Sequence, residues 1–402
     1  MTVAMERPIM REKPFAWPAV LACFASAMIA WGFGFYGQSV FLASLQASQG
    51  WSTALIASAT TAYYLCGAVL MTLTPDWIAR WGSRVVILGG AVALAGGTLA
   101  LTCATAPWQL FAANLVMAVG WATTSGTAIT TTLAQWFDAK RGLAISLALN
   151  GSSIAGFGIA PALVYLSQAV SLTAAVALVA AGVLALLVPT VMLGLRGAPR
   201  AAASSRAVGA ITRREVLRSH AFRTVAAFYA LALIAQVGFM MHEVAFLTPR
   251  LGATGAADAL AATSFAAMLG RLALGMVIDR LDQRRVAAIS VTSQAVGLAA
   301  ILLFPDLPVA LYGGVILFGL SVGNLITLPA LIVQREFPAA AFGVVIGLAT
   351  AISQFAFAFA PALLGIVHDV AGGYPPALVL CIAVQLAAAS VVLRGRAAPT
   401  QR

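Results

Sequence analysis

A lone arginine, Arg271, stands inside a long apolar run of this 402-residue sequence. A guanidinium stays charged at any physiological pH, so in apolar surroundings it needs a counter-charge or a water-filled cavity. Failing both, it snorkels to the end of its helix or pairs with a backbone carbonyl. Glu243 is the only carboxylate clearly inside such a run, and His242 adjoins it. A carboxyl beside an imidazole is a pair able to take up and release a proton. Successive residues on a helix point about 100° apart, so at most one of the two would face a shared cavity. The plainer alternative is an outer-rim pair meeting water or Arg250. Trp31 and Trp121 lie mid-run, where their rings either wall a site for a planar group or simply pack between helices. Gln38, Tyr36, Gln236 and Asn324 are further mid-run polar candidates, each weak alone because buried amides commonly just tie helices together.

Two short segments set carboxylates beside arginines: Asp76 with Arg80 and Arg84, and Asp279 with Arg280, Arg284 and Arg285. Such a pair can act as a latch that breaks when the flanking elements move. An ordinary basic loop is the alternative. Enzyme parts are missing: there are three histidines, no HExxH and no credible nucleophile triad. No metal or cofactor is expected. The four cysteines (Cys23, Cys66, Cys103, Cys381) have no CxxC spacing and read as small buried hydrophobes. Gly32-Phe33-Gly34-Phe35-Tyr36-Gly37 matches GxGxxG but follows no strand, so its glycines serve bending or close helix contact instead.

The elements that must position these residues follow from composition. The chain is 61% hydrophobic and 9% charged, with a mean hydropathy of +0.97. Soluble domains run at about 45–50% apolar and about 25% charged, so both a soluble fold and a disordered chain are excluded. An all-α membrane protein remains, and at about 20 residues per span the length suits twelve transmembrane helices. They are predicted near 17–45, 52–73, 84–105, 107–134, 142–169 and 171–195, then near 221–248, 255–278, 286–304, 308–334, 342–368 and 375–393. Counting back from Asp279 at 1.5 Å per residue lifts Arg271 about 12 Å into a core about 30 Å thick. All but Arg250 and Arg271 of the 23 Lys and Arg fall on one side of the resulting topology. That asymmetry puts both termini in the cytoplasm and the protein in the cytoplasmic (inner) membrane. The charges sit at separate helix ends and form no continuous face for nucleic acid.

The chain divides into a tail (1–16), a bundle (17–195), a polar linker (196–220), a second bundle (221–393) and a tail (394–402). The halves resemble each other: Gly67 to Asp76 closes one helix and Gly270 to Asp279 another, while Ala160-Pro161-Ala162-Leu163 repeats as Ala360-Pro361-Ala362-Leu363. Two parallel six-helix repeats, pseudo-symmetric about a midplane site, describe a secondary transporter, expected to act as a monomer on a small molecule.

At these residues the chain resembles the major facilitator superfamily, and within it the monocarboxylate-transporter and oxalate/formate-antiporter branch. The carrying segments are Gly50-Trp51-Ser52, Pro75-Asp76-Trp77-Ile78-Ala79-Arg80-Trp81-Gly82-Ser83-Arg84, Trp136-Phe137-Asp138-Ala139-Lys140-Arg141-Gly142, and Gly270-Arg271 through Asp279-Arg280. The resemblance implies that Arg271 binds a substrate carboxylate. The sequence departs from the branch where proton-coupled carriers have an acid four residues before that arginine, here Ala267. Their helix-1 lysine falls near Gln38, and the antiporter's helix-11 lysine near Ala349. A dianion such as oxalate is therefore not expected. The expectation is a proton-coupled carrier of a small organic monoanion, with an uncharged or aromatic solute, or export, as the alternative.

Overall fold

A computed structural model describes residues 17–137, 141–197, 213–338 and 341–395. The two tails, most of the linker and the Asp138-to-Lys140 stretch lie outside the described residues. So does the Asp279 side chain. Every element among the described residues is helical.

Ten continuous stretches are long and apolar enough to cross a membrane. In chain order the spans are α1 (Trp17–Gln49), α2 (Thr53–Trp81), α3 (Ser83–Thr102), α4 (Pro107–Thr124 continued by Gly126–Leu133), α5 (Leu143–Ala169) and α6 (Leu172–Gly194). After a short helix, Arg213–Arg218, comes the unbroken stretch His220–Val277. It is two antiparallel spans fused by a tight corner: Gly252 has φ 72°, ψ 171°, a conformation open to glycine and costly for other residues. Residues 220–251 form α7 and 253–277 form α8. The rest are α9 (Gln283–Leu303), α10 (Pro308–Glu336), α11 (Val344–Ala371) and α12 (Tyr374–Arg394). With α4 and the division at Gly252, the count is twelve.

One boundary moves in a way that matters. The sequence places a loop from Asp76 onward, yet α2 continues through Pro75 to Trp81. Thr74 secures this turn by donating its hydroxyl to the Ala122 carbonyl of α4 (3.0 Å). Trp77 and Trp81 stack one turn apart, with ring centroids 6.2 Å apart. Asp76 and Arg80 thus share a helix surface. Cys103 also differs from expectation: it lies exposed, just past the end of α3.

The repeat is visible in where helices break. α1 widens into a π-helical turn at Gly32–Tyr36 and α5 does so at Ala155–Ile159. Pro161 has no N–H to give the preceding turn, which is the local reason for slack in α5. Its counterpart Pro361 follows a break in α11 at Phe359. α4 and α10 break at corresponding places, Ser125 and Gly323.

The bonds between the bundles are unevenly placed. Call the terminal side that on which α1 begins and α12 ends. Side-chain links between the bundles lie in the central layer, where Gln354 of α11 donates to the Met71 sulfur of α2 (3.5 Å), or toward the opposite, far side. Tyr165 of α5 donates to Asp258 of α8. Asp369 of α11 accepts from the Ala54 N–H of α2 (2.7 Å), and Thr61 of α2 accepts from the Ala362 N–H (3.3 Å). Among the described residues the side-chain bonds between bundles thus gather in the central layer and on the far side.

Candidate functional site

The π turns of α1 and α5 bring Tyr36 and Gly156 together at the bundle interface. A Cβ at Gly156 would stand 2.8 Å from the Tyr36 ring and would also strike the Ser264 hydroxyl of α8, so the close approach needs glycine there. Tyr36 is 7% exposed and lies within Coulombic reach of both Arg271 and Glu243. A phenol of one bundle therefore shares a layer with a guanidinium and a carboxyl of the other.

Arg271 is half-buried, and its buried Nε has no hydrogen-bond partner. It makes no ion pair among the described residues. A Cβ at Gly323, where α10 breaks, would come within 3.0 Å of that Nε. The absence of a side chain at Gly323 thus leaves room for the Arg271 side chain. Next to it, Asn324 donates its amide to the Leu320 carbonyl (3.3 Å), while its Oδ1 has no partner. Ala267 is buried and supplies no acid.

Glu243 is fully buried. One carboxyl oxygen accepts from Thr263 of α8 at 2.6 Å and the other has no partner. Thr263 and Ser264 are functional neighbours that sequence reasoning missed. Nothing in an Ala-Ala-Thr-Ser-Phe run singles them out before α7 and α8 are folded against each other.

His242 does not share this layer. Its Nε2 donates to the Pro361 carbonyl (3.0 Å), and Nδ1 accepts from the Tyr374 hydroxyl at 3.4 Å. The expected Glu243–His242 pair is therefore split, as their angular separation on one helix allows. An outer-rim pairing with Arg250 does not form either. Arg250 donates to the Phe246 carbonyl (3.0 Å) and lies over that residue's ring.

Two more candidates are tied within one bundle. Gln236 of α7 accepts from Gln294 of α9 (2.8 Å), which in turn accepts from Gln385 of α12. This is an amide chain joining three helices, so Gln236 ties its own bundle together instead of lining the site. Arg284 pairs through Nε and Nη2 with both carboxyl oxygens of Glu336. It donates besides to the Val392 carbonyl (2.8 Å) and Thr224 (3.2 Å). It clamps α7, α9, α10 and α12 within the second bundle, so it is a fixture there and not a latch between bundles.

The expected pairing of Asp76 with Arg80 or Arg84 is not formed in this structure. Asp76 and Arg80 are exposed and make no ion pair among the described residues; Arg80 rests near the Trp81 ring. Arg84 is half-buried, with Nε and Nη2 unpartnered. Arg280 is exposed in the turn Ile278–Arg280.

Trp121 is 5% exposed and wedged between helices, reaching toward Gly34 of α1 and Gly67 of α2. It meets Trp31 edge-on at 5.2 Å. Tyr63 and Tyr64, missed in the sequence, join it and both donate to the Gly34 carbonyl (2.9 and 3.2 Å). Tyr64 continues across the interface to Phe357 (ring centroids 5.4 Å) and the Met241 sulfur. Trp121 is thus a core ring; Trp31, half-buried, retains free surface. Gln38 accepts from Thr60 (3.2 Å) and keeps an unpartnered, buried amide nitrogen.

Twelve apolar spans in two bundles around a buried polar layer define a multi-pass membrane transporter of small solutes. The model of the Major Facilitator Superfamily matches residues 20–361 and, overlapping, 244–402. The chain belongs to the Major Facilitator Superfamily, a family of transporters rather than enzymes. Solved structures with the same fold include the nucleoside transporter NupG, at TM-score 0.74 and 14% identity over 95% of this chain and 98% of that one. A bacterial homolog of the human lysosomal transporter Spinster, inward-facing and occupied, gives TM-score 0.74 at 13% identity, covering 96% of this chain and 100% of that one. Among curated proteins, none matches the sequence.

Proposed function

We propose that this protein is a proton-coupled secondary carrier of a small organic monoanion, of the monocarboxylate-transporter kind, in the cytoplasmic membrane. Its working units are the bundles 17–195 and 221–393, with both termini cytoplasmic. The observation that carries this reading is Arg271: a guanidinium in the interface layer with an unpartnered Nε, within Coulombic reach of Tyr36 of the other bundle. A cation so placed gains from an arriving carboxylate what it lacks in the empty protein. Asn324 and Gln38, each with one free polar atom, orient the cargo; Tyr36 and Trp31 border it.

Glu243 stands in for the acid missing at Ala267 and carries the coupling proton between its unpartnered oxygen and the cargo layer. His242, engaged with Pro361 and Tyr374, supports α7 against α11 and α12 instead. By the positive-inside asymmetry the terminal side is cytoplasmic. The state described is then the inward-facing one, with the Asp76 latch released. It re-forms when the terminal side closes.

Uptake of labelled monocarboxylates into proteoliposomes bearing an inward proton gradient tests this. Accumulation that collapses with the gradient and is abolished in Arg271→Gln is the expected result. Uptake and affinity unchanged in that variant overturn the anion site. The half-exposed Trp31 favours a second reading, an uncharged ring-bearing solute, and one fold neighbour is a nucleoside transporter. Nucleoside uptake indifferent to Arg271→Gln would select it.

A further inference from the structure

The far side is bridged by an exchange of backbone partners between α2 and α11. The first turn of any helix leaves N–H groups without intrahelical acceptors. In α2, Ser52 caps one of them by accepting from Leu55 (3.2 Å). The Ala54 N–H is satisfied from the other bundle, by Asp369 Oδ2 at 2.7 Å. The other Asp369 oxygen accepts from His368 Nδ1 (2.8 Å), which fixes the carboxylate's orientation. Two turns deeper the roles reverse. α11 is broken at Phe359 and restarts through Pro361, so the Ala362 N–H lies in a first turn of its own. Its acceptor is Thr61 Oγ1 of α2 at 3.3 Å. Between the two bonds, Gly365 lets the helices touch: a Cβ there would lie 3.1 Å from the Thr53 carbonyl and 3.0 Å from the Ala57 methyl.

We propose that Asp369 and Thr61 form a reciprocal clasp, each capping a helix turn of the opposite bundle, that holds the far side shut. Parting α2 from α11 strips both turns of their acceptors at once, whereas water can hydrate only the outer one freely, since Asp369 is exposed and Thr61 is buried. The clasp biases the protein toward the state open on the terminal side. It rests on the alternating-access reading above but on no particular cargo.

The test is a distance measurement on full-length protein in nanodiscs without substrate. Spin labels go on Ser48→Cys and Val309→Cys, exposed far-side positions on opposite bundles, with the four native cysteines replaced by serine. Asp369→Ala and Thr61→Val are each expected to raise the far-side-open population roughly three- to tenfold, the scale of one net hydrogen bond. The double variant should approach the product of the two. Unchanged distance distributions in folded, monodisperse single variants would overturn the clasp. If one variant does not fold, the other decides, because the two bonds sit on different residues of different helices. Loss of the clasp would leave the Arg271→Gln transport result as it stands, so the two proposals fail separately.

Discussion

Replacing Arg271 with glutamine should move stability and affinity in opposite directions. In the empty protein the guanidinium has been taken out of bulk water without a carboxylate partner, and its Nε has no acceptor. A cation at the centre of a span costs about 2.5–3.5 kcal/mol on insertion scales. Partial exposure of Arg271 refunds some of that, so about 1 kcal/mol of stabilisation on neutralisation is a fair expectation. With the cargo bound, the same side chain makes charge-assisted hydrogen bonds worth about 1.5–3 kcal/mol. Their loss weakens binding by about 10- to 150-fold. The assay is thermal unfolding of purified protein with and without carboxylate. Arg271→Gln should unfold at an equal or higher temperature when empty and lose the ligand-induced shift. Arg271→Lys, which keeps the charge but not the planar fork, should fall between. A glutamine variant that unfolds earlier when empty yet still responds fully to ligand would refute the reasoning, because Arg271 would then be serving the fold.

Two further outcomes follow from the buried carboxylates. Glu243→Gln should abolish accumulation driven by a proton gradient while sparing counterflow exchange of labelled for unlabelled cargo; exchange lost in parallel with accumulation would place Glu243 in substrate binding instead. Glu336→Ala strands Arg284 in a site where both side chains are 7% exposed, and breaking such a pair costs about 3–5 kcal/mol. Here the Val392 carbonyl and Thr224 still serve the guanidinium, which argues for the lower end. The apolar pair Arg284→Met with Glu336→Leu should recover most of the loss, and a double variant as unstable as the single one would show that the pair is not the cause.

The twelve-span architecture was legible because its signals are long: apolar runs of span length, basic ends on one side, and paired motifs such as Ala160-Pro161 and Ala360-Pro361. Arg271 was legible for a related reason, since a cation in an apolar run stands out without any tertiary information. Single-residue angles were not. Glu243 and His242 are neighbours in sequence and diverge in space, and only the packing of α8 on one side and of α11 and α12 on the other decides which partner each receives. Gln236 and Arg284 look like interface residues by position along their helices, but their rotation aims them into their own bundle. Pro75 reads as a stop because it removes a hydrogen bond, yet Thr74 and the Trp77–Trp81 stack hold the turn together. Tyr63 and Tyr64 were invisible for the opposite reason: tyrosines in an apolar run need no explanation until both hydroxyls turn up on one carbonyl.

The corner at Gly252 has a mechanical consequence. α7 carries Glu243 and α8 carries Arg271, and the two spans are linked by one glycine with no slack loop, bonded again through Thr263. This linkage favours their moving together as a hairpin. Carboxyl and guanidinium are therefore expected to keep their spacing as the bundles rock, like two teeth on one gear. What changes from state to state is the opposing surface that meshes with them, chiefly Tyr36 and the softened turns of α1 and α5.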